Sequence, residues 1–241
     1  MDVKNILLIV FIVVLLFIVI SYVLKDASTL SGLVDGKTMQ TISASSLDTS
    51  NTTGTTSNFS YSIWFFVDDW NYRYGEPKVI FGRMANSSGP CPTVILGALE
   101  NNVNISLEVY PGVDTISQTG STASTVHQCN VSNVPLQKWV NLLISAYGRS
   151  LDVYIDGKLV RTCVLPGVAK IDGSADIYVT PNGGFSGWTS TFQYWAHSTD
   201  PQTAWNIYKK GYGGSWLSNL GKYSVKVSLM EGDTEDASFE I

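Results

Sequence analysis

The hydrophobic and polar positions divide the 241-residue chain into four stretches of different texture. An apolar run comes first, then a Ser- and Thr-rich stretch, then short apolar runs that alternate with turn-forming clusters, and finally a stretch that ends in acidic residues. These changes predict a transmembrane anchor over residues 1–25, a flexible stalk over 26–57, a folded domain over 58–212 and a C-terminal extension over 213–241.

The apolar run Ile6–Leu24 contains nineteen residues, with one Ser and no charged residue. A helix of this length spans about 30 Å, the thickness of a bilayer core. We therefore expect an uncleaved, single-pass anchor in a lipid bilayer; a cleaved signal peptide and a buried core helix are the alternatives. Lys4 and Lys25 flank the two ends, so the positive-inside rule does not decide the orientation.

The folded stretch has the pattern of an all-β protein, because runs rich in Val, Ile, Tyr, Trp and Phe alternate with turn signals. The pattern does not alternate strands with helices, so it does not indicate a parallel sheet. We expect a sandwich of two antiparallel sheets. The predicted strands are Phe59–Val67, Lys78–Gly82, Thr93–Ala98, Asn104–Tyr110, Ser124–Cys129, Trp139–Tyr147, Ser150–Ile155, Lys158–Cys163, Asp176–Thr180, Gly187–Tyr194 and Tyr223–Leu229.

Two local signals are sharper than the rest. Asp156-Gly157 between alternating apolar residues predicts a hairpin with a two-residue type I′ turn. Asp200 as N-cap, Pro201 at the first helical position and Gly211 at the end predict one short helix near residues 201–209.

The C-terminal extension alternates polar and apolar residues from Tyr223, which predicts a half-buried strand. Such a strand pairs with an open edge of its own domain or with another chain. The acidic segment Glu231–Glu240 is expected to stay solvated or to contact a basic neighbour.

Three ordered segments resemble the concanavalin A-like lectin/glucanase superfamily, in its laminin-G-like branch. They are the aromatic strand from Phe59 (FSYSIWFFV), the strand from Trp139 with the following YIDGKLV hairpin, and the GFSGW turn from Gly184 with the following helix DPQTAWNIY. Together they cover about residues 58–212, although Thr203 replaces the acidic residue usual in the closing helix. The resemblance implies a jelly-roll sandwich.

The combination of a short anchor, a stalk and one such domain resembles membrane-anchored proteins of large DNA viruses that infect algae and protists. This resemblance implies a minor capsid or virion protein that links the internal membrane to the capsid shell, with capsid or other assembly proteins as partners. The alternative function is a membrane-anchored, glycan-binding lectin that acts in attachment.

Charge and residue inventory exclude several functions. The net charge is −5 and no Lys/Arg run occurs, so we expect no nucleic-acid partner. Glu231-Gly-Asp233-Thr-Glu235 has the spacing of a glucanase carboxylate set, but it lies in an acidic tail and lacks apolar neighbours. His127 and His197 have no metal-ligand spacing, and Asp68 begins only a weak calcium motif. We expect a non-enzymatic protein without a metal or cofactor.

The candidate contact residues are Trp70, Tyr72 and Tyr74, which alternate with polar residues that include Asp69. Aromatic faces beside carboxylates are surfaces on which sugar rings stack. A protein interface and ordinary packing are the alternatives, so carbohydrate is one of three expected occupants.

Three cysteines follow the apolar run, so at least one of them is unpaired or intermolecular. Cys129 and Cys163 lie at the ends of predicted strands that can be neighbours. The two alternatives for this pair are a disulfide and two buried reduced thiols. Five N-x-S/T sequons hint at a lumenal or external face. They begin at Asn51, Asn58, Asn86, Asn104 and Asn130.

Overall fold

The computed structural model describes residues 28–47, 57–84, 89–111 and 124–213, the strands at 226–231 and 234–240, and three helical residues, Ile12, Leu15 and Leu16. The chain divides into two compact units, residues 27–212 and residues 1–26 with 213–241. The predicted anchor Ile6–Leu24 lies outside the described residues, apart from those three. Within the described part, no helix is long and apolar enough to cross a bilayer.

Residues 27–212 form two antiparallel sheets, which confirms the predicted all-β sandwich with one short helix. The strands are β1 (Thr29–Ser31), β2 (Val34–Asp35), β3 (Gln40–Ile42), β4 (Phe59–Asp69), β5 (Lys78–Met84), β6 (Pro90–Leu96), β7 (Val103–Val109), β8 (Thr125–Val131), β9 (Trp139–Tyr147), β10 (Ser150–Ile155), β11 (Lys158–Val164), β12 (Ile177–Val179) and β13 (Ser186–Trp195). The first sheet has the order β1-β13-β4-β9-β10-β11, with β2 also paired to β13, and the second has the order β3-β12-β5-β6-β7-β8.

The core lies between the two sheets and follows the period-2 alternation of the strands. Along β4, Tyr61, Ile63, Phe65 and Val67 are buried in it, while Trp64 belongs to the opposite, outer face. One face of the first sheet therefore packs on the second sheet, and its outer face is left for other elements.

Helix α1 (Pro201–Lys210) covers part of that outer face. Its N-terminus is capped by Asp200, whose Oδ1 accepts a hydrogen bond from the Thr203 backbone N–H at 3.0 Å. The helix buries Ala204 and Ile207 against the first sheet in a cluster with Leu143 and Tyr154. The predicted cap, first turn and end of this helix are confirmed.

The prediction of a flexible stalk over 26–57 is wrong for residues 28–47, which belong to the sandwich. Strands β1 and β2 pair with β13, and β3 pairs with β12. Gly36 N–H donates to the Gly187 carbonyl at 2.7 Å, and Leu47 is buried in the core. These strands contain two or three residues each, so backbone pairing holds a segment whose composition alone gives no strand signal.

In the C-terminal unit, β14 (Lys226–Glu231) pairs antiparallel with β15 (Thr234–Glu240). The predicted strand therefore exists, although Tyr223 lies outside the described residues. Its partner is a strand within the acidic segment, Thr234–Glu240, so the pairing lies within the chain. That the acidic segment stays solvated or contacts a basic neighbour stays a prediction. Glu231 and Glu235 lie on different strands, which breaks the single-strand alternation of a glucanase carboxylate set.

Candidate functional site

The loop that follows β4 does not present its aromatic residues as one exposed surface. Trp70 is half-buried and packs against the core, and the Lys78 ammonium lies 4.4 Å from the centre of its ring. The face that Trp70 was expected to offer to a ligand is therefore occupied within the described residues.

Tyr72 and Arg73 attach this loop to a neighbouring turn. The Tyr72 hydroxyl donates to the Gly183 carbonyl at 3.1 Å, and the Lys37 ammonium lies 4.8 Å from the Tyr72 ring centre. Asp69 accepts from the Asn71 backbone N–H. Of the three candidate rings Tyr74 is exposed, whereas Trp70 and Tyr72 are partly buried and contact the rest of the sandwich.

A different set of aromatic residues lies side by side on the outer face of the first sheet. Trp188 on β13 is the cross-strand partner of Phe66 on β4, and Phe66 is the partner of Trp139 on β9. We call Trp188, Phe66 and Trp139 the aromatic row. Asp35 on β2 pairs with Trp188 and extends the line to four strands. Because neighbouring strands lie about 4.8 Å apart, the line from Asp35 to Trp139 spans about 14 Å.

The aromatic row forms the floor of a shallow apolar groove of about 360 Å³, which Leu33 and Tyr212 complete. Tyr212 stacks on Trp139, with ring centres 4.5 Å apart and planes 5° from parallel. Trp188 and Tyr212 are each 45% exposed. Large aromatic faces in this groove are therefore open to a ligand.

Hydrogen bonds fix the position of Tyr212. Its carbonyl accepts from the hydroxyls of Ser190 and Thr191, both at 2.6 Å. The neighbouring Trp64 is almost fully buried and its ring approaches both Tyr208 of α1 and Tyr212. The groove is thus built on a rigid sheet and on the end of the helix, which is how a preformed site is held in place.

A carboxylate lies at one end of the aromatic row. Asp35 is half-buried, and its Oδ1 accepts from the Lys37 backbone N–H at 2.7 Å. Its second oxygen, Oδ2, makes no hydrogen bond to any residue that the structure describes. Stacked ring faces beside a free acceptor suit a ligand with an apolar face and hydroxyl groups.

Sequence reasoning missed this groove because its parts are far apart in the chain, from Asp35 to Trp188. Phe66 and Trp139 are large aromatic residues in predicted strands, but both strands contain consecutive apolar residues, so alternation does not show which of their faces is open. Only the register between strands shows that these positions meet.

Two buried charged groups away from the groove, Glu108 and Arg83, have structural partners. Glu108 on β7 accepts from the Gly89 N–H at 2.7 Å and from the Lys170 ammonium at 3.1 Å, and a hydrogen bond from Ser124 contributes most to the lowering of its pKa. Arg83 donates to the Ala175 and Gly173 carbonyls. Among the described residues no group of His, Cys, Asp and Glu is placed to hold a metal ion.

Cys129 and Cys163 form a disulfide, with their Cα atoms 6.0 Å apart. Cys129 lies on β8 and Cys163 on β11, the last strands of the two sheet orders, so the bond joins one sheet to the other along this side. Cys91 is a buried free thiol, and burial raises its pKa.

No known protein family and no curated protein matches the chain by sequence. Among solved structures, the receptor binding domain of botulinum neurotoxin C/D mosaic serotype superposes with a TM-score of 0.54 at 12% identity, over 76% of this chain and 45% of that one. A mutant of HCR/D superposes with a TM-score of 0.53 at 13% identity, over 76% of this chain and 45% of that one.

The fold is a lectin-like jelly-roll sandwich. At these identities the likeness shows the fold alone. This chain spans less than half the length of either structure.

Proposed function

We propose that this protein is a non-enzymatic, glycan-binding module, in which the aromatic row stacks against one or more sugar rings. The observation that carries the proposal is the groove itself: three aromatic side chains aligned across neighbouring strands, with Trp188 and the adjoining Tyr212 half-exposed. The superposed neurotoxin structure is a receptor binding domain, which is consistent with a recognition role for such a sandwich.

The shape and chemistry of the groove favour a sugar over other ligands. A pyranose ring has a flat C–H face that packs on indole and phenol rings, and its hydroxyl groups lie around its edge. The line of about 14 Å, set by a strand spacing of about 4.8 Å, is long enough for a short oligosaccharide. Asp35 lies at the end of that line, where its carboxylate can accept from ring hydroxyls.

A second part of the proposal concerns where the domain is located. On the resemblance described above, we propose that Ile6–Leu24 anchors the chain in a membrane and that the protein belongs to the virion of a large DNA virus, with the groove facing glycans. The apolar run itself supports the anchor. The capsid-linking role rests on the resemblance alone and is secondary to glycan binding.

The experiment is a glycan-array measurement with the detergent-solubilised full chain and three variants. Trp188→Ala removes a half-exposed stacking surface, and Trp139→Ala removes the ring on which Tyr212 stacks in the groove. We expect each to reduce binding of the selected oligosaccharide at least about tenfold, which corresponds to about 1.4 kcal/mol. Trp205→Ala is the matched control, because Trp205 is 39% exposed on α1 and does not line the groove.

Binding that survives both groove substitutions would contradict the proposed site. Absence of binding to every sugar on an array of sialylated and neutral oligosaccharides would contradict the proposed function. Circular dichroism of each variant shows whether the sandwich is retained.

A further inference from the structure

A second surface, away from the aromatic row in sequence, carries a sequon at the end of an outer strand. Asn130 and Ser132 of Asn130-Val-Ser132 are both exposed, and β8 ends at Val131. Among the described strands, β8 pairs only with β7. The outer edge of β8 is therefore not hydrogen-bonded to a second strand among the described residues.

The other sequons within the described residues are less accessible. Asn58 uses its Oδ1 to accept from the Gly148 N–H at 2.9 Å, and Ser60 of the same sequon is fully buried. Asn104 lies on β7, which is paired on both sides. Asn51 and Asn86 lie outside the described residues.

A surface hollow of about 370 Å³ begins at Asn130. Its walls are the segment 130–135 together with Ile155, Val160 and Arg161. Val160 is 48% exposed, so the hollow contains an uncovered apolar side chain next to a guanidinium group with several hydrogen-bond donors. An apolar contact beside these donors suits a sugar ring that is already tethered at the rim.

We propose that Asn130 is an N-glycosylation site and that the first sugar of its glycan occupies this hollow, against Val160 and Arg161. In the transfer, Asn130 Nδ2 forms a bond to C1 of the first N-acetylhexosamine. The bond from C1 to the pyrophosphate of a lipid-linked oligosaccharide breaks, and the proton from Nδ2 leaves with the pyrophosphate. This inference does not depend on glycan binding at the aromatic row.

The adjacent disulfide supports the same compartment for this chemistry. Cys129 directly precedes Asn130 and is bonded to Cys163. Structural disulfides form and persist in oxidising compartments such as the endoplasmic reticulum lumen, where N-glycans are also added. The seated sugar then covers Val160, which lies on β11, one of the two strands that the disulfide links.

The occupancy test expresses the full chain, with its own apolar run Ile6–Leu24 and no added signal, in eukaryotic cells and analyses it by glycopeptide mass spectrometry. We expect a glycan on Asn130 in the wild type and in Ser132→Thr. Asn130→Gln and Ser132→Ala should each lose one glycan mass; Ser132→Ala retains the Asn130 side chain and so separates modification from packing. An unmodified Asn130 in the wild-type protein recovered from these cells would overturn the proposal.

The seating test measures enzymatic removal of the Asn130 glycan from the native protein. A seated first sugar is shielded, so we expect slow removal from the wild type and at least about fivefold faster removal from the double variant Val160→Ser, Arg161→Ala. Val164→Ser on the same strand is the control, since Val164 is exposed and does not line the hollow. Equal removal rates in all three proteins would overturn the seating.

Discussion

Lys78 shows how a single side chain is placed by its surroundings. It is fully buried on β5, and its ammonium makes no hydrogen bond to any described residue. The ammonium instead lies over the Trp70 ring, 4.4 Å from its centre. Burial lowers the pKa of Lys78 below its ordinary value of 10.5, Arg73 lowers it further, and Glu76 opposes both effects.

We predict that Lys78→Met raises the free energy of unfolding at neutral pH by about 1 kcal/mol, because removal of an unpaired buried charge outweighs loss of the ring contact. The unfolded chain binds the Lys78 proton more tightly than the folded protein, so wild-type stability rises with pH up to 10.5. The advantage of the variant should therefore shrink over that range.

Urea denaturation at neutral pH and at pH 10.5 measures this difference. Lys158→Met is the control, because Lys158 is exposed on β11. If Lys78→Met instead made the protein less stable at neutral pH, the contact with Trp70 would be the dominant effect.

At the same scale, sequence reasoning named the loop aromatics Trp70, Tyr72 and Tyr74 as candidates and did not name the aromatic row; the role of the loop residues stays a prediction. Trp70 lies among polar neighbours in the sequence, which is typical of an exposed loop residue, yet the loop folds back and its ring packs on the core. Phe66 lies in a strand whose alternate residues form the core, and nothing local shows that its outer face stays open. Exposure depends on what covers a residue, and that is a tertiary property.

Among the elements, those with a local chemical signal were predictable. Asp156 and Gly157 have φ angles of 51° and 73°, as the type I′ turn requires, and Ile155 pairs with Lys158. The cap at Asp200 likewise acts within one turn of helix. Strands β1 to β3 carry no such signal, since they are stabilised by pairing with β13 and β12.

Substitutions at two glycines test whether residues 28–47 are part of the sandwich. A Cβ at Gly36 would lie 2.8 Å from the Phe185 carbonyl oxygen, whereas a Cβ at Gly32 meets nothing within 4 Å. We predict that Gly36→Ala lowers the free energy of unfolding by about 1–3 kcal/mol, because β2 must shift away from β13. Gly32→Ala should change it by less than about 0.5 kcal/mol.

Chemical denaturation of the full chain, followed by tryptophan fluorescence, compares these two variants. If both substitutions left the unfolding midpoint unchanged, residues 28–47 would behave as the flexible stalk that composition suggests, and the pairing of β2 with β13 would be contradicted.

For the whole molecule, the disulfide is a long-range constraint. It joins residues 34 apart in sequence and links the two sheets through β8 and β11. The disulfide closes a loop of this length and so lowers the conformational entropy of the unfolded chain. This effect predicts that the disulfide stabilises the folded protein by about 3–4 kcal/mol. The double substitution Cys129→Ala, Cys163→Ala should lower the free energy of unfolding by that amount.

Thermal unfolding with and without a reductant measures this effect. Reduction should lower the midpoint of the wild type and leave that of the double variant unchanged, since the remaining Cys91 is a free thiol. A wild-type midpoint that does not respond to complete reduction would contradict the stabilising role.

The sandwich class was predictable for the whole molecule because alternation and turn signals recur along residues 59–195. The groove was not, because it needs the register of four strands at once: β2, β13, β4 and β9.

The most direct test is a ¹⁵N NMR titration of the indole N–H resonances of the seven tryptophans with the oligosaccharide selected on the array. Each assigned resonance reports whether a ligand reaches that ring. We predict that the signals of Trp139 and Trp188 shift in a saturable way, while those of the buried Trp64 and the helix residue Trp205 stay in place. Saturable shifts confined to tryptophans outside the groove would contradict the assignment of the aromatic row as the binding site.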